Sequence, residues 1–233
     1  ITQRIAFKSS LSYLWLQGTD ELSKNEGRRL RNLNFRTNVY ELGLQFEYYI
    51  IKEPVGKLNT VNAIRYGQKS KEIGVYVLAG AAPFLYSPLG QAENGTWYRL
   101  RPLGTEGQGQ PGGPADYGSF GVALLTGAGV KFVVHRQLSF GIEGAMRFTN
   151  TDYLDDVSTT YYDFSQEGVE VSGLTQSLAD KRLTGGRGTP GGIRGNPENS
   201  DVYMGLIFSV NYKLAPDQKL RISFKKKRKR VKL

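Results

Sequence analysis

The sequence predicts an all-β chain, an up-and-down antiparallel transmembrane β-barrel, and three observations carry that prediction. Val39 to Ile51 alternates strictly: Tyr40, Leu42, Leu44, Phe46, Tyr48 and Ile50 share one face, and Glu41, Gly43, Gln45, Glu47 and Tyr49 the other. A period of two marks a strand, and a run of roughly 9 to 11 residues crosses a bilayer. The composition is the second observation: 29 Gly and 12% aromatics among 233 residues disfavour helix and favour strand. The third is the spacing of the alternating runs, separated by polar, Gly- and Pro-rich connections.

Taken in order, Ile5 to Leu16 sets Phe7, Leu11, Tyr13 and Trp15 against Ala6, Lys8, Ser10 and Ser12, and Gln17 to Arg36 reads as a long solvated loop. The 39–51 strand follows, and the Lys52–Glu72 connection is polar and basic. Ile73 to Tyr86 is apolar on both faces, so its orientation is open; Pro83 suggests a bulge or strand exit. Ser87 to Tyr117 is rich in Gly and Pro and reads as irregular. Phe120–Val134 and Leu138–Phe148 form a hairpin around His135–Gln137, with Phe140 and Ile142 opposed to Glu143 and Arg147. Thr149 to Asn199 is the longest loop, and Val202–Tyr212 closes the pattern with Met204, Leu206 and Phe208 on one face.

Six strands result, near 5–16, 39–51, 73–86, 120–134, 138–148 and 202–212. Even-numbered barrels start at eight strands, so two more are expected ahead of Ile1. The domain expectation is a barrel over residues 1–214 and a basic periplasmic tail over 215–233. The lipid-facing set is Leu42, Leu44, Phe46, Phe140, Ile142, Leu206 and Phe208. The lumen-facing set is Glu41, Glu47, Glu143, Arg147 and Lys131, whose charges pair to fill an interior only just wide enough for side chains.

Other chemistry finds little footing. The formal charge of +10 falls to +3 without the seven basic residues Lys225, Lys226, Lys227, Arg228, Lys229, Arg230 and Lys232. Basicity is thus a property of the tail, which could meet anionic lipid, an acidic periplasmic partner or no specific partner; nucleic acid is disfavoured beside lipid-type strands. With no Cys, disulfides and thiolate metal sites are excluded. The lone His135 has no nucleophile elbow to serve, so no catalytic set and no cofactor is expected. Gly127-Ala128-Gly129 reads as small residues on a barrel wall, and Gly185 to Gly192 as a mobile loop. Asp152, Asp155, Asp156 and Asp163 match no calcium-loop spacing and read as a hydrogen-bonded loop base.

Three loop segments are more specific than any barrel rule demands. They are Arg31-Asn32-Leu33-Asn34-Phe35-Arg36, the run Trp97 to Gly109 that contains Leu103-Gly104-Thr105-Glu106-Gly107-Gln108-Gly109, and Thr149-Asn150-Thr151-Asp152-Tyr153-Leu154-Asp155-Asp156-Val157-Ser158. Through them the chain resembles the PorG-type outer-membrane barrels of the type IX secretion system of Bacteroidota. The resemblance runs from Ile1 to about Leu214. It implies a non-enzymatic outer-membrane component of a Gram-negative bacterium that contacts periplasmic ring proteins of the PorK and PorN type, supporting protein export and gliding motility. The basic tail and the 185–195 Gly-rich stretch depart from that pattern. An alternative from a different class is a small barrel whose extracellular loops bind a ligand or surface.

Overall fold

In a computed structural model, residues 4–52, 73–134, 138–182 and 188–212 are described. The tail, the 53–72 connection, His135–Gln137 and the 183–187 part of the Gly-rich stretch lie outside them. The chain is all-β: β1 (Ile5–Thr19), β2 (Asn34–Ile51), β3 (Ile73–Gln91), the short β4 (Trp97–Arg99), β5 (Phe120–Val133), β6 (Leu138–Thr149) and β7 (Val202–Tyr212). Among the described residues two short helices, α1 (Glu26–Arg31) and α2 (Gly173–Ala179), sit in connections. The sheet order is β1-β2-β3-β5-β6-β7, every pair antiparallel, with β4 attached to the end of β3.

The sheet is curled. On a flat sheet β2 and β6, three steps apart, would be separated by about 14 Å. Arg147 on β6 nevertheless reaches Glu41 on β2 at 2.7 Å, and Lys8 on β1 reaches Glu143 on β6 at 2.8 Å. Only a concave wall brings these side chains together. No β1–β7 pairing occurs among the described residues, so these two strands end the path.

Alternation decides which face each residue takes. On the convex face Leu11, Phe46, Leu124, Leu206 and Phe208 are exposed, Leu11 at 87% and Phe208 at 72%. On the concave face Glu41, Gln45, Glu47, Glu143 and Arg147 are buried. Leu42, Leu44, Phe46, Phe140, Ile142, Leu206 and Phe208 lie on the convex face, and Glu41, Glu47, Lys131, Glu143 and Arg147 on the concave one. Soluble sheets bury the apolar face and expose the polar one; here large apolar side chains of the convex face are exposed while charged ones of the concave face are buried.

The ambiguous 73–86 strand is settled by its neighbours. Tyr76, Leu78, Ala82, Phe84 and Tyr86 are concave and buried, and Val77 and Leu85 are exposed. Pro83 marks neither a bulge nor an exit: its register with Val122 is regular and β3 runs on to Gln91. The loss is confined to the ladder with β2, where Pro has no N–H to give; the pairs recorded are Glu41↔Phe84 and then Leu44↔Ala81, in one register.

Three strands outrun the apolar pattern. β1 extends to Thr19, β2 starts at Asn34 and β3 ends at Gln91, so the expected 17–36 loop is mostly paired strand, a 3₁₀ turn and α1. Likewise 87–117 contains the end of β3, β4 and a 3₁₀ turn at Arg101–Leu103. The extensions carry Gln17, Asn34, Arg36 and Asn38, so the apolar alternation stops before the hydrogen-bonded ladder does.

Candidate functional site

Two polar regions stand out: the concave interior and the connections gathered at the end where β1, β3 and β6 finish. In the interior the groups form layers. Arg147 donates to both oxygens of Glu41 at 2.7 and 3.0 Å, and the Tyr203 hydroxyl donates to Glu41 Oε2 at 3.0 Å. One oxygen of Glu143 accepts from Lys8, the Tyr76 hydroxyl and Gln45 at 2.8, 2.9 and 3.3 Å. Glu47 accepts from the Tyr49 hydroxyl at 2.9 Å, and that hydroxyl in turn accepts from Lys131. The Gly129 position makes room for this: a Cβ there would lie 2.4 Å from the Tyr76 ring. Expected carboxylate–cation pairing is thus seen directly for Glu41–Arg147 and Glu143–Lys8, whereas Lys131 is bridged to Glu47 through Tyr49. Glu41 and Glu143 are thus each paired with a cation and further hydrogen-bonded within the concave interior.

Above these layers Val39, Ala82, Phe84, Tyr86, Ala123, Tyr117 and Leu154 form an apolar cluster, which joins the wall to the loops. Tyr117 stacks on Tyr153 at 4.2 Å, and the Thr37 hydroxyl donates to the Leu154 carbonyl. The loops therefore sit on the interior as a cap.

The cap has its own buried ion pair. Arg194 Nη1 lies 2.7 Å from Glu106 Oε1, both fully enclosed. Glu106 also accepts from the Ser158 and Thr159 amides and the Thr159 hydroxyl, at 2.7 to 3.1 Å. Asp156 accepts from the Thr105 and Tyr117 hydroxyls, and Arg194 donates to its carbonyl. Asp20 binds Arg31 through two bonds of 2.6 and 2.7 Å and takes the Leu33 amide at 3.0 Å. Arg31 then donates to the Arg194 carbonyl, which ties the first loop to the last. The three specific loop segments of the sequence converge on one network.

Local chemistry explains the spelling of these runs. Gly104, Gly107 and Gly109 have φ of 59°, 80° and 74°, the left-handed region open to Gly. That path turns Thr105 and Glu106 inward. The described part of the Gly-rich stretch is bonded to the 158–161 segment: Tyr161 exchanges backbone bonds with Gly191 and Gly192, and a Cβ on Gly195 would meet the Ser158 backbone at 2.6 Å. The Asp cluster is divided among tasks: Asp156 joins the network, Asp155 accepts the Val157 amide, and Asp163 holds Ser165 from an exposed turn. Loss of water, with Asp201 and Glu106 nearby, raises the Asp152 carboxyl to about 7. Loss of water and Asp201 raise Asp155 to about 7, against the Val157 amide, Arg194 and Arg31.

Sequence reading missed Glu106, Asp20, Tyr161 and Arg194 as buried groups and Arg31 as a half-buried one. Glu106 had a signal, since glycines on both sides of a Thr-Glu pair specify a turn. Arg194, 88 residues from its partner, had none.

The fold and these groups define a class: an antiparallel, curled β-sheet with a paired polar interior and an ordered loop cap. No described family, no curated protein and no solved structure matches the chain.

Proposed function

We propose that this chain is a non-enzymatic β-barrel of the bacterial outer membrane. In this reading it is a structural component of type IX protein secretion that contacts a periplasmic ring of PorK- and PorN-type proteins. The observation that carries the membrane part is the inverted sheet, with exposed Phe7, Leu11, Phe46, Leu124, Leu206 and Phe208 outside and buried ion pairs inside. Contiguous apolar surface of that extent on a water-soluble monomer would drive association; against lipid it needs no cover. β1 and β7 run in opposite directions, so closure by two further strands between them keeps every neighbour antiparallel and gives the eight-stranded minimum.

The secretion role rests on the three loop segments, and their convergence on one network gives them a shared purpose in shaping the cap. The partner contact belongs at the opposite, periplasmic end. Affinity purification from detergent-solubilised outer membranes, followed by mass spectrometry, tests the role: ring proteins should co-purify, and recovery of the chain alone contradicts it. Reconstitution into vesicles tests the filled interior, with no steady large conductance expected.

A further inference from the structure

We propose that the convex face, where β1 to β4 approach the cap, binds the phosphate of an anionic lipid headgroup between Arg36 and Arg99. The proposal rests on the membrane reading above and names the lipid chemistry that this part of the wall selects.

Register gathers the site from four strands. Gln17 on β1 lies opposite Arg36 on β2, Arg36 opposite Leu89 on β3, and Leu89 opposite Arg99 on β4. Directly opposed residues share a face, and Leu89 shares the convex face with Leu85, so all four belong to it. Arg36 and Arg99 are two strand spacings apart, about 10 Å, a gap that two long side chains close onto one phosphate.

Arg36 is held by rings and by no acid. Its guanidinium carbon lies 4.0 Å from the centroid of the Trp97 ring and 5.2 Å from that of Trp15, and these are the chain's 2 tryptophans. Its Nε is buried without a hydrogen-bond partner; its two amino nitrogens are not buried, and among the described residues they meet no acceptor. Arg31, Arg147 and Arg194 by contrast each pair with a carboxylate. A guanidinium stacked through its faces keeps its edge for a bidentate contact, which suits phosphate. The surrounding outward residues Gln17, Asn38, Ser87 and Gln91 carry no charge. Glu93, in the turn between β3 and β4, lies within electrostatic reach of Lys181.

Height on the wall selects a lipid over a soluble anion. Tyr13 and Tyr40, with ring centroids 5.2 Å apart, begin the exposed apolar band at this end. From Tyr40 to Ile50 the band runs ~33 Å along the strand, or ~25 Å along the bilayer normal at the usual tilt. Arg36 lies beyond Tyr40 by ~13 Å of strand and ~10 Å along the normal, at headgroup height. Tryptophan and tyrosine concentrate at that interface. A lipid phosphate held there lets its acyl chains run down the apolar wall, from which a free phosphate gains nothing.

The two tryptophans read this patch directly. The full chain is reconstituted into phosphatidylcholine vesicles carrying a minor fraction of chain-brominated phosphatidic acid or, in parallel, of chain-brominated phosphatidylcholine. Bromine quenches tryptophan on contact, so the ratio of quenching gives the preference beside Trp15 and Trp97. A preference for phosphatidic acid of roughly 25-fold is expected, about fivefold for each arginine. Arg36→Gln and Arg99→Gln should each cut it about fivefold, and Lys52→Gln, at the other end of the wall, should leave it unchanged. Equal quenching by the two lipids, a preference untouched by both arginine substitutions, or one lost equally with Lys52→Gln overturns the site. So does a preference abolished by inorganic phosphate or oligoglutamate at constant ionic strength, which assigns the patch to a soluble anion. Quenching by neither lipid contradicts the membrane reading itself, whereas quenching by both without preference contradicts this site alone.

Discussion

Among the described residues, the two short buried carboxylate–guanidinium pairs Glu41–Arg147 and Glu106–Arg194 are built in different ways. Glu41–Arg147, at 2.7 Å, spans the concave interior between two strands. Glu106–Arg194, also at 2.7 Å, joins two loops. The first is positioned by ladder register: once β2 and β6 are placed, both side chains must face inward. The second relies on left-handed glycines, on backbone amides from Ser158 and Thr159, and on a bridge between Thr160 and Ile193. A sheet supports its pair through many independent hydrogen bonds, whereas the cap and its pair support each other.

That difference can be broken from either side. Arg194→Met leaves Glu106 buried without its cation and should cost roughly 3–5 kcal/mol. The loss should be local: hydrogen exchange should rise across 104–109 and 154–161 while the strands stay protected. Arg147→Met should cost a similar roughly 3–5 kcal/mol, but as a lower urea midpoint for the whole sheet. If both variants gave the same exchange pattern, cap and wall would be one cooperative unit.

Leu44→Arg, on the convex face, should cost roughly 2–4 kcal/mol if that position lies near the bilayer midplane; an unchanged folding equilibrium in lipid would contradict the outward register. Gly129→Ala is smaller, about 1–3 kcal/mol, because the new methyl crowds the Tyr76 ring that supports Glu143. The gentlest probe is pH. Asp152 and Asp155 are raised to about 7 in the folded cap, above the ordinary value of about 3.9. Their protonated forms therefore favour the fold. Their contribution is complete below about pH 4 and is lost as pH rises through 7. Proteolysis within the cap should quicken between pH 5 and pH 8, with the wall unaffected.

The same contrast explains what could be read from the sequence. Strand positions and faces were legible because Tyr40 to Ile50 and Leu138 to Phe148 repeat with period two, and period two fixes a face. Glu41, Glu143 and Arg147 followed from that alone. The extensions to Thr19 and Gln91 were hidden because Gln17, Thr19, Ser87 and Gln91 at outward positions are polar, so the backbone ladder continues with Leu89 alone to carry the apolar signal. The cap was legible only as an unusual spelling around Glu106 and Asp156. Its partners Arg194 and Tyr161 are brought in by loop paths that no periodicity encodes.

The central claim is that the convex face meets lipid, and the absence of Cys makes it directly testable. Single cysteines placed in turn at 42 through 47 can be spin-labelled in the chain reconstituted into bilayers. Collision rates with oxygen and with a water-soluble nickel chelate are then compared. The account predicts high oxygen and low nickel access at Leu42, Leu44 and Phe46, and low access to both at Gly43, Gln45 and Glu47. Equal access on the two faces, or nickel access at Leu44 as high as in an exposed loop, would contradict it.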